Sequence, residues 1–172
     1  MTGSTHLAPD LLAALRTRGW TVAAAESLTG GLVTAALVDV PGASRTVRGG
    51  VVAYATDLKV SLLGVDAGLL AIRGAVAAEV AAAMAQGVRM RLAADVGLAT
   101  TGVAGPDPQD GHDPGTVHVA VATADEVRVG SARLGGNRMA VRTAARDLVL
   151  GLAIEVLGTA GTGQSSGTLE QV

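Results

Sequence analysis

The chain has no cysteine among its 172 residues. That removes disulfides, thiolate nucleophiles and cysteine-based metal sites together, and any covalent chemistry must fall to Ser, Thr, Lys or a carboxylate. It has no Phe, one Trp and one Tyr, so the core must be built from Ala, Val and Leu, whose small side chains let helices and strands approach closely. Long apolar runs are missing too. None reaches the roughly 18 residues of a membrane span, and the N-terminus lacks a basic segment followed by an apolar one. The expectation is a soluble, cytoplasmic protein with no membrane partner. An excess of one charge is also lacking: thirteen basic and fifteen acidic residues leave a formal net charge of −2. With the basic residues dispersed, there is no electrostatic footprint for nucleic acid. Small ligands or protein partners remain.

What is present suits one domain, expected over residues 1–157, with 158–172 as a disordered tail rich in Gly, Ser, Thr and Gln. After a frayed start over 1–7, Pro9 to Arg18 reads as a helix stopped by Gly19. Thr21 to Ala25 reads as a strand, and Glu26-Ser27-Leu28-Thr29-Gly30-Gly31 as the turn into a helix carrying Leu32, Ala35, Ala36 and Val38. Gly49 to Tyr54 predicts a second strand, followed by a helix with Thr56 as N-cap and Lys59 within it. The strongest helix spans Ala77 to Leu92. Asp95 to Thr100 is a short strand entering Thr101-Gly102-Val103-Ala104-Gly105-Pro106. Pro106 to Pro114 is a polar surface loop, 115–123 and 126–134 form a hairpin, and Arg138 to Leu157 is a last helix capped by Asn137. Strands alternating with helices, then a hairpin, predict an α/β fold: a three-layer α/β/α sandwich on a mixed, mostly parallel sheet. Ligands in such sheets sit where strand ends feed helices. Both hydroxyl-and-glycine motifs fall there.

Ser27 and Thr29 stand at an expected helix start, where unpaired N–H groups and a positive dipole suit an anion or a developing oxyanion. The alternative is that they cap the helix and Gly30-Gly31 merely allow the turn. Neither a Walker loop nor a Gly-Xaa-Ser-Xaa-Gly elbow is present. A Ser hydroxyl needs a base, and a desolvated Lys can be one. With no Cys, and no His close to Ser27 in sequence, Lys59 is the economical partner, with Tyr54 nearby. Thr100-Thr101-Gly102 with Gly105 offers hydroxyls and N–H groups for a phosphate or ribose, or is simply a strand end. Arg138 and Arg142, four apart on one helix face, are either solvated or a phosphate grip. His112 and His118 have no third ligand spaced to join them, so no metal is expected.

Taken together and in order, Ala25-Glu26-Ser27-Leu28-Thr29-Gly30-Gly31, Val40-Pro41-Gly42, Gly49-Gly50-Val51-Val52-Ala53-Tyr54, Lys59 with Leu62-Leu63-Gly64-Val65, Gly74-Ala75-Val76 and Ala99 to Pro106 resemble the CinA C-terminal domain family, which includes the bacterial nicotinamide-nucleotide amidohydrolases. The resemblance implies deamidation of nicotinamide mononucleotide to nicotinate mononucleotide and ammonia, in pyridine-nucleotide salvage, by a homodimer needing no cofactor or metal. Carried over, Ser27 is the nucleophile and Lys59 its base, with Tyr54 assisting. Thr29, Gly30 and Gly31 supply donors, Thr101, Gly102 and Gly105 line the nucleotide pocket, and Arg138 or Arg142 meets the phosphate. The chain departs from the family pattern at Ala77-Ala78, at Asn137 and over His112 to Thr116. A second expectation, of another class, is a nucleotide-binding or partner-binding module of the same fold without turnover.

Overall fold

A computed structural model describes residues 6–159. Residues 1–5 of the expected frayed start and 160–172 of the expected tail lie outside the described residues. Six helices and five strands follow one another as α1 (Leu7–Arg18), β1 (Val22–Glu26), α2 (Leu32–Val38), β2 (Val47–Val52), α3 (Thr56–Ser61), α4 (Ala67–Arg73), α5 (Ala78–Arg91), β3 (Val96–Gly102), β4 (Thr116–Ala122), β5 (Val127–Arg133) and α6 (Arg138–Thr159), with one 3₁₀ turn over Ala43–Arg45.

The sheet order is β2-β1-β3-β4-β5. Strands β2, β1 and β3 pair in parallel, and β4 is antiparallel to both of its neighbours. Four strands therefore point one way, so the sheet is mixed and mostly parallel. β1 lies at the centre of the parallel part and every one of its residues is buried, which is why it reads as a continuous apolar run. Its alternation splits the core. Val22 and Ala24 face α1, α2 and α6 together with Leu98, Val119 and Val121. Ala23 and Ala25 face α5 together with Ala99, Ala120 and Ala122.

The second face is nearly all alanine, and the reason is proximity. A Cβ on Gly97 would lie 2.0 Å from the Ala85 carbonyl oxygen of α5, so helix and sheet meet backbone to backbone. The absence of Phe is thus matched by a geometry with no room for it.

Several boundaries differ from the sequence reading. α1 begins at Leu7, inside the stretch expected to fray, and α6 runs two residues past Leu157. The second strand covers 47–52 rather than 49–54. Ala55, not Thr56, is the N-cap of α3 and makes no side-chain cap bond. Helix α4 was not expected: seven residues including Gly68 are too few to show a period, although Asp66 caps it by accepting from Leu69 N at 2.8 Å. Gly19 does end α1 in the left-handed conformation, and Asn137 Oδ1 accepts from Ala140 N at 3.0 Å at the start of α6. Trp20, beneath the Arg18 guanidinium at 6.0 Å, sits at the N-terminal end of β1.

Register places the site. Glu26 pairs with Val52 of β2 and with Thr100 of β3, so β1 and β2 end level and β3 runs two residues further. The turn after β1, the segment into α3 and the Thr101–Gly105 turn therefore share one edge. That is where an open parallel sheet holds ligands.

Candidate active site

Ser27 is the first residue beyond β1, and its N–H extends the ladder by donating to Thr100 O at 3.0 Å. Its side chain is buried. Lys59, on the short α3, brings Nζ to 3.1 Å from Ser27 Oγ and donates to Ala53 O at 2.8 Å. Only 1% of Lys59 is exposed, and among the described residues it has no carboxylate partner. Burial alone pushes its pKa down to about 8. About a tenth of the amine is then neutral at pH 7. A neutral amine can donate to Ala53 O and accept the Ser27 proton on its lone pair, which is the arrangement a Ser nucleophile requires.

Lys59 is also the only lysine in the chain; the other twelve cationic side chains are arginines. Arginine cannot lose its proton, so only Lys59 could serve as a cationic-type base. The composition alone carries that signal.

The Ser–Lys pair opens into a cleft of about 80 Å³, room for several waters at about 10–15 Å³ each. Thr101, Gly102 and Gly105 line it, as do Tyr54 and Arg138 at the mouth. Tyr54 is 59% exposed, and its hydroxyl accepts from Arg138 Nη2 at 2.9 Å rather than meeting Ser27 or Lys59. Arg138 Nη1 donates to Gly105 O at 2.7 Å. The polar loop after Pro106 is more than a surface excursion, since Asp107 and Gln109 form part of the wall. Ala75 and Val76 line it as well, and Thr101 Oγ1 is already committed to Ala75 O at 2.7 Å.

Four expected binding residues lie elsewhere. Thr29, Gly30, Gly31 and Arg142 do not line the cleft. Thr29 is fully buried, and its hydroxyl donates to Glu26 Oε2 at 2.7 Å. Having spent its one proton there, it accepts from Thr100 Oγ1, also at 2.7 Å. Gly30 N donates to Ser27 O, and Gly31 N to Glu26 Oε2. The arginine takes the other side of the turn, with Nε and Nη2 donating to Leu28 O at 2.9 Å and Thr29 O at 2.7 Å. The helix-start N–H groups expected to await an anion are filled by the chain's own carboxylate: Val33 N and Thr34 N of α2 both donate to Glu26. Neither Leu28 N nor Thr29 N donates to an acceptor among the described residues. Leu28 borders the cleft, and its N–H is the donor next to Ser27 in sequence.

Among the described residues no group of three or more His, Cys, Asp or Glu could hold a metal. His118 pairs with Ser131 Oγ through Nδ1. No helix of the described residues is long and apolar enough to cross a membrane.

Comparison with known proteins gives a consistent picture. The CinA C-terminal domain family profile matches residues 4–157. A CinA-like protein of Frankia casuarinae is 50% identical over 161 residues, covering 89% of this chain and 37% of that protein. The chain spans about a third of the length of the curated relatives it matches. Among solved structures, a competence-damaged protein (CinA) superfamily member from Klebsiella pneumoniae superposes with TM-score 0.88 at 30% identity, covering 92% of this chain and 99% of that one. The competence/damage inducible protein CihA from Agrobacterium tumefaciens gives 0.86 at 33% identity, over 92% and 98%.

Proposed function

The chain belongs to the CinA C-terminal domain family, and on that premise we propose that it is an amidohydrolase converting nicotinamide mononucleotide to nicotinate mononucleotide and ammonia. The observation that carries the reading is the contact between Ser27 Oγ and the buried, carboxylate-free Nζ of Lys59. The substrate comes from the family resemblance.

In this reading neutral Lys59 takes the Ser27 proton as Oγ attacks the carboxamide carbon. The oxyanion forms beside Leu28 N–H, and protonated Lys59 returns its proton to the departing ammonia. Water, activated by the same amine, then adds to the acyl-enzyme; the carboxylate leaves and Ser27 regains its proton. The small enclosed volume suits the carboxamide end of the substrate. Asp107, the cleft's one carboxylate, complements the cationic pyridinium ring, while Arg138 at the mouth takes the phosphate. Arg142, which does not line the cleft, does not.

Purified protein incubated with nicotinamide mononucleotide should release ammonia, and Ser27→Ala should abolish release. Unchanged release from that variant would remove Ser27 from the mechanism. Saturable binding without product in wild type would favour the binding module instead. The rate should rise with pH around the Lys59 value of about 8; a flat profile from neutrality to pH 9 would count against Lys59 as the base.

A further inference from the structure

A heavily bonded buried group, the Glu26 carboxylate, is one that this mechanism does not use. Glu26 is the last residue of β1, has no exposed surface, and accepts five hydrogen bonds: from Thr29 Oγ1, Gly31 N and Val33 N on Oε2, and from Thr34 N and Thr34 Oγ1 on Oε1. Its donors begin two residues beyond Ser27 and end in the first turn of α2. They therefore span the turn that presents the nucleophile. The strand beside it leaves space for this arrangement: a Cβ on Gly50 of β2 would lie 2.0 Å from Thr34 Oγ1. On the opposite side of the same turn, Arg142 holds the carbonyls of Leu28 and Thr29. N–H groups are thus drawn to a carboxylate and C=O groups to a guanidinium.

We propose that Glu26 is a positioning residue for the reaction: by gathering the donors of residues 29–34 it fixes the turn so that Ser27 Oγ stays within reach of Lys59 Nζ and Leu28 stays at the cleft wall. The inference rests on the Ser27–Lys59 reading. Glu26 does not line the cleft, so it acts through the turn and never through the substrate. A capping carboxylate that served stability alone would leave Ser27 equally reactive once the protein had folded. A positioning one would not, because a displacement of about 1 Å at a reacting atom can cost on the order of 10²-fold in rate.

The test is labelling of Ser27 in the full chain by a fluorophosphonate, which needs no amide substrate, followed as a function of pH. Wild type should label with a midpoint set by Lys59. Glu26→Gln keeps the shape but turns a donor amide toward N–H and O–H donors. In that variant, folded as judged by circular dichroism, labelling should slow on the order of 10²-fold and lose its dependence on the Lys59 titration. Turnover of nicotinamide mononucleotide should fall in kcat with KM little changed. Thr34→Val removes one of the five bonds and should slow labelling several-fold, with Thr34→Ser restoring it. Labelling by folded Glu26→Gln at the wild-type rate and pH profile would overturn the proposal. Should that variant fail to fold, an unchanged rate in Thr34→Val would overturn it equally. Wild type that labels at Ser27 but releases no ammonia would sink the amidase reading and leave the role of Glu26 to be decided by the same variants. Wild type that does not label at all would overturn both.

Discussion

Two segments at neighbouring parallel strand ends look alike in sequence, each joining hydroxyl residues to glycine: the turn Ser27-Leu28-Thr29-Gly30-Gly31 after β1 and the last strand residues Thr100-Thr101-Gly102 of β3. They do opposite things. In the first, Ser27 is left with only an amine partner while Thr29 and the following N–H groups are absorbed by Glu26. In the second, both hydroxyls serve the scaffold, Thr100 toward Thr29 and Thr101 toward Ala75 O. On the proposed reading, what separates a reactive hydroxyl from a structural one is the partner it meets. A carbonyl fixes the hydroxyl as a donor and ends its usefulness, whereas a neutral amine can remove its proton.

The largest effect expected on this contrast comes from Lys59→Met. Amidase activity should drop by about 10²–10⁴-fold, the usual worth of a general base, yet the protein should become more stable at pH 7. The sign follows from the lowered pKa. Between about 8, the folded value, and the unfolded value near ~10.4, only the unfolded chain binds the proton. Stability therefore rises with pH across that window and is depressed below it. The depression is on the order of 3 kcal/mol at ~1.4 kcal/mol per unit, partly offset in the variant by loss of the two Nζ hydrogen bonds. Thermal melts of both proteins should diverge at pH 7 and converge above pH 10. A variant less stable than wild type at pH 7 would show that burial of the amine carries no net cost.

A middle-sized effect should separate the two arginines. Arg138→Met is expected to raise KM about tenfold with kcat nearly kept, as for a group that binds substrate uniformly. Arg142→Met should lower melting temperature and kcat together, because it releases the carbonyls of the reactive turn. Reversal of that pattern would exchange their roles. The smallest effect on chemistry belongs to Thr101→Val, which leaves the buried Ala75 carbonyl without its donor. It should cost about 1–3 kcal/mol of stability, read from denaturant melts, while leaving the pH–rate profile in place. A displaced profile would make the end of β3 part of the chemistry.

The pairing of Ser27 with Lys59 could be read from elimination and chemistry, because a chain without cysteine has few ways to build an activated nucleophile. The layer order could be read too, since strand and helix patterns alternate over most of the length. The role of Glu26 could not. A carboxylate before a Ser is compatible with solvent, substrate or backbone, and only the turn after β1 together with the return of α2 over its end brings five donors to it. The arginines were indistinguishable for a similar reason. Spacing put Arg138 and Arg142 on one helix face, but the carbonyls of Leu28 and Thr29 reach the second alone. Helix α4 escaped because seven residues give the helical period too little length to repeat.

The scarcity of aromatic side chains has a practical side. The single Trp and single Tyr flank opposite ends of β1, Trp20 before its first residue and Tyr54 at the mouth of the cleft, about 20 Å apart along the strand direction at ~3.3 Å per residue. Without Phe, the near-ultraviolet spectrum comes from two chromophores alone. Tyrosine absorbance and dichroism therefore report occupancy at the cleft through the bond to Arg138, while tryptophan emission follows the far end of the sheet during unfolding. Ligand binding and global melting can be watched separately in one unlabelled sample.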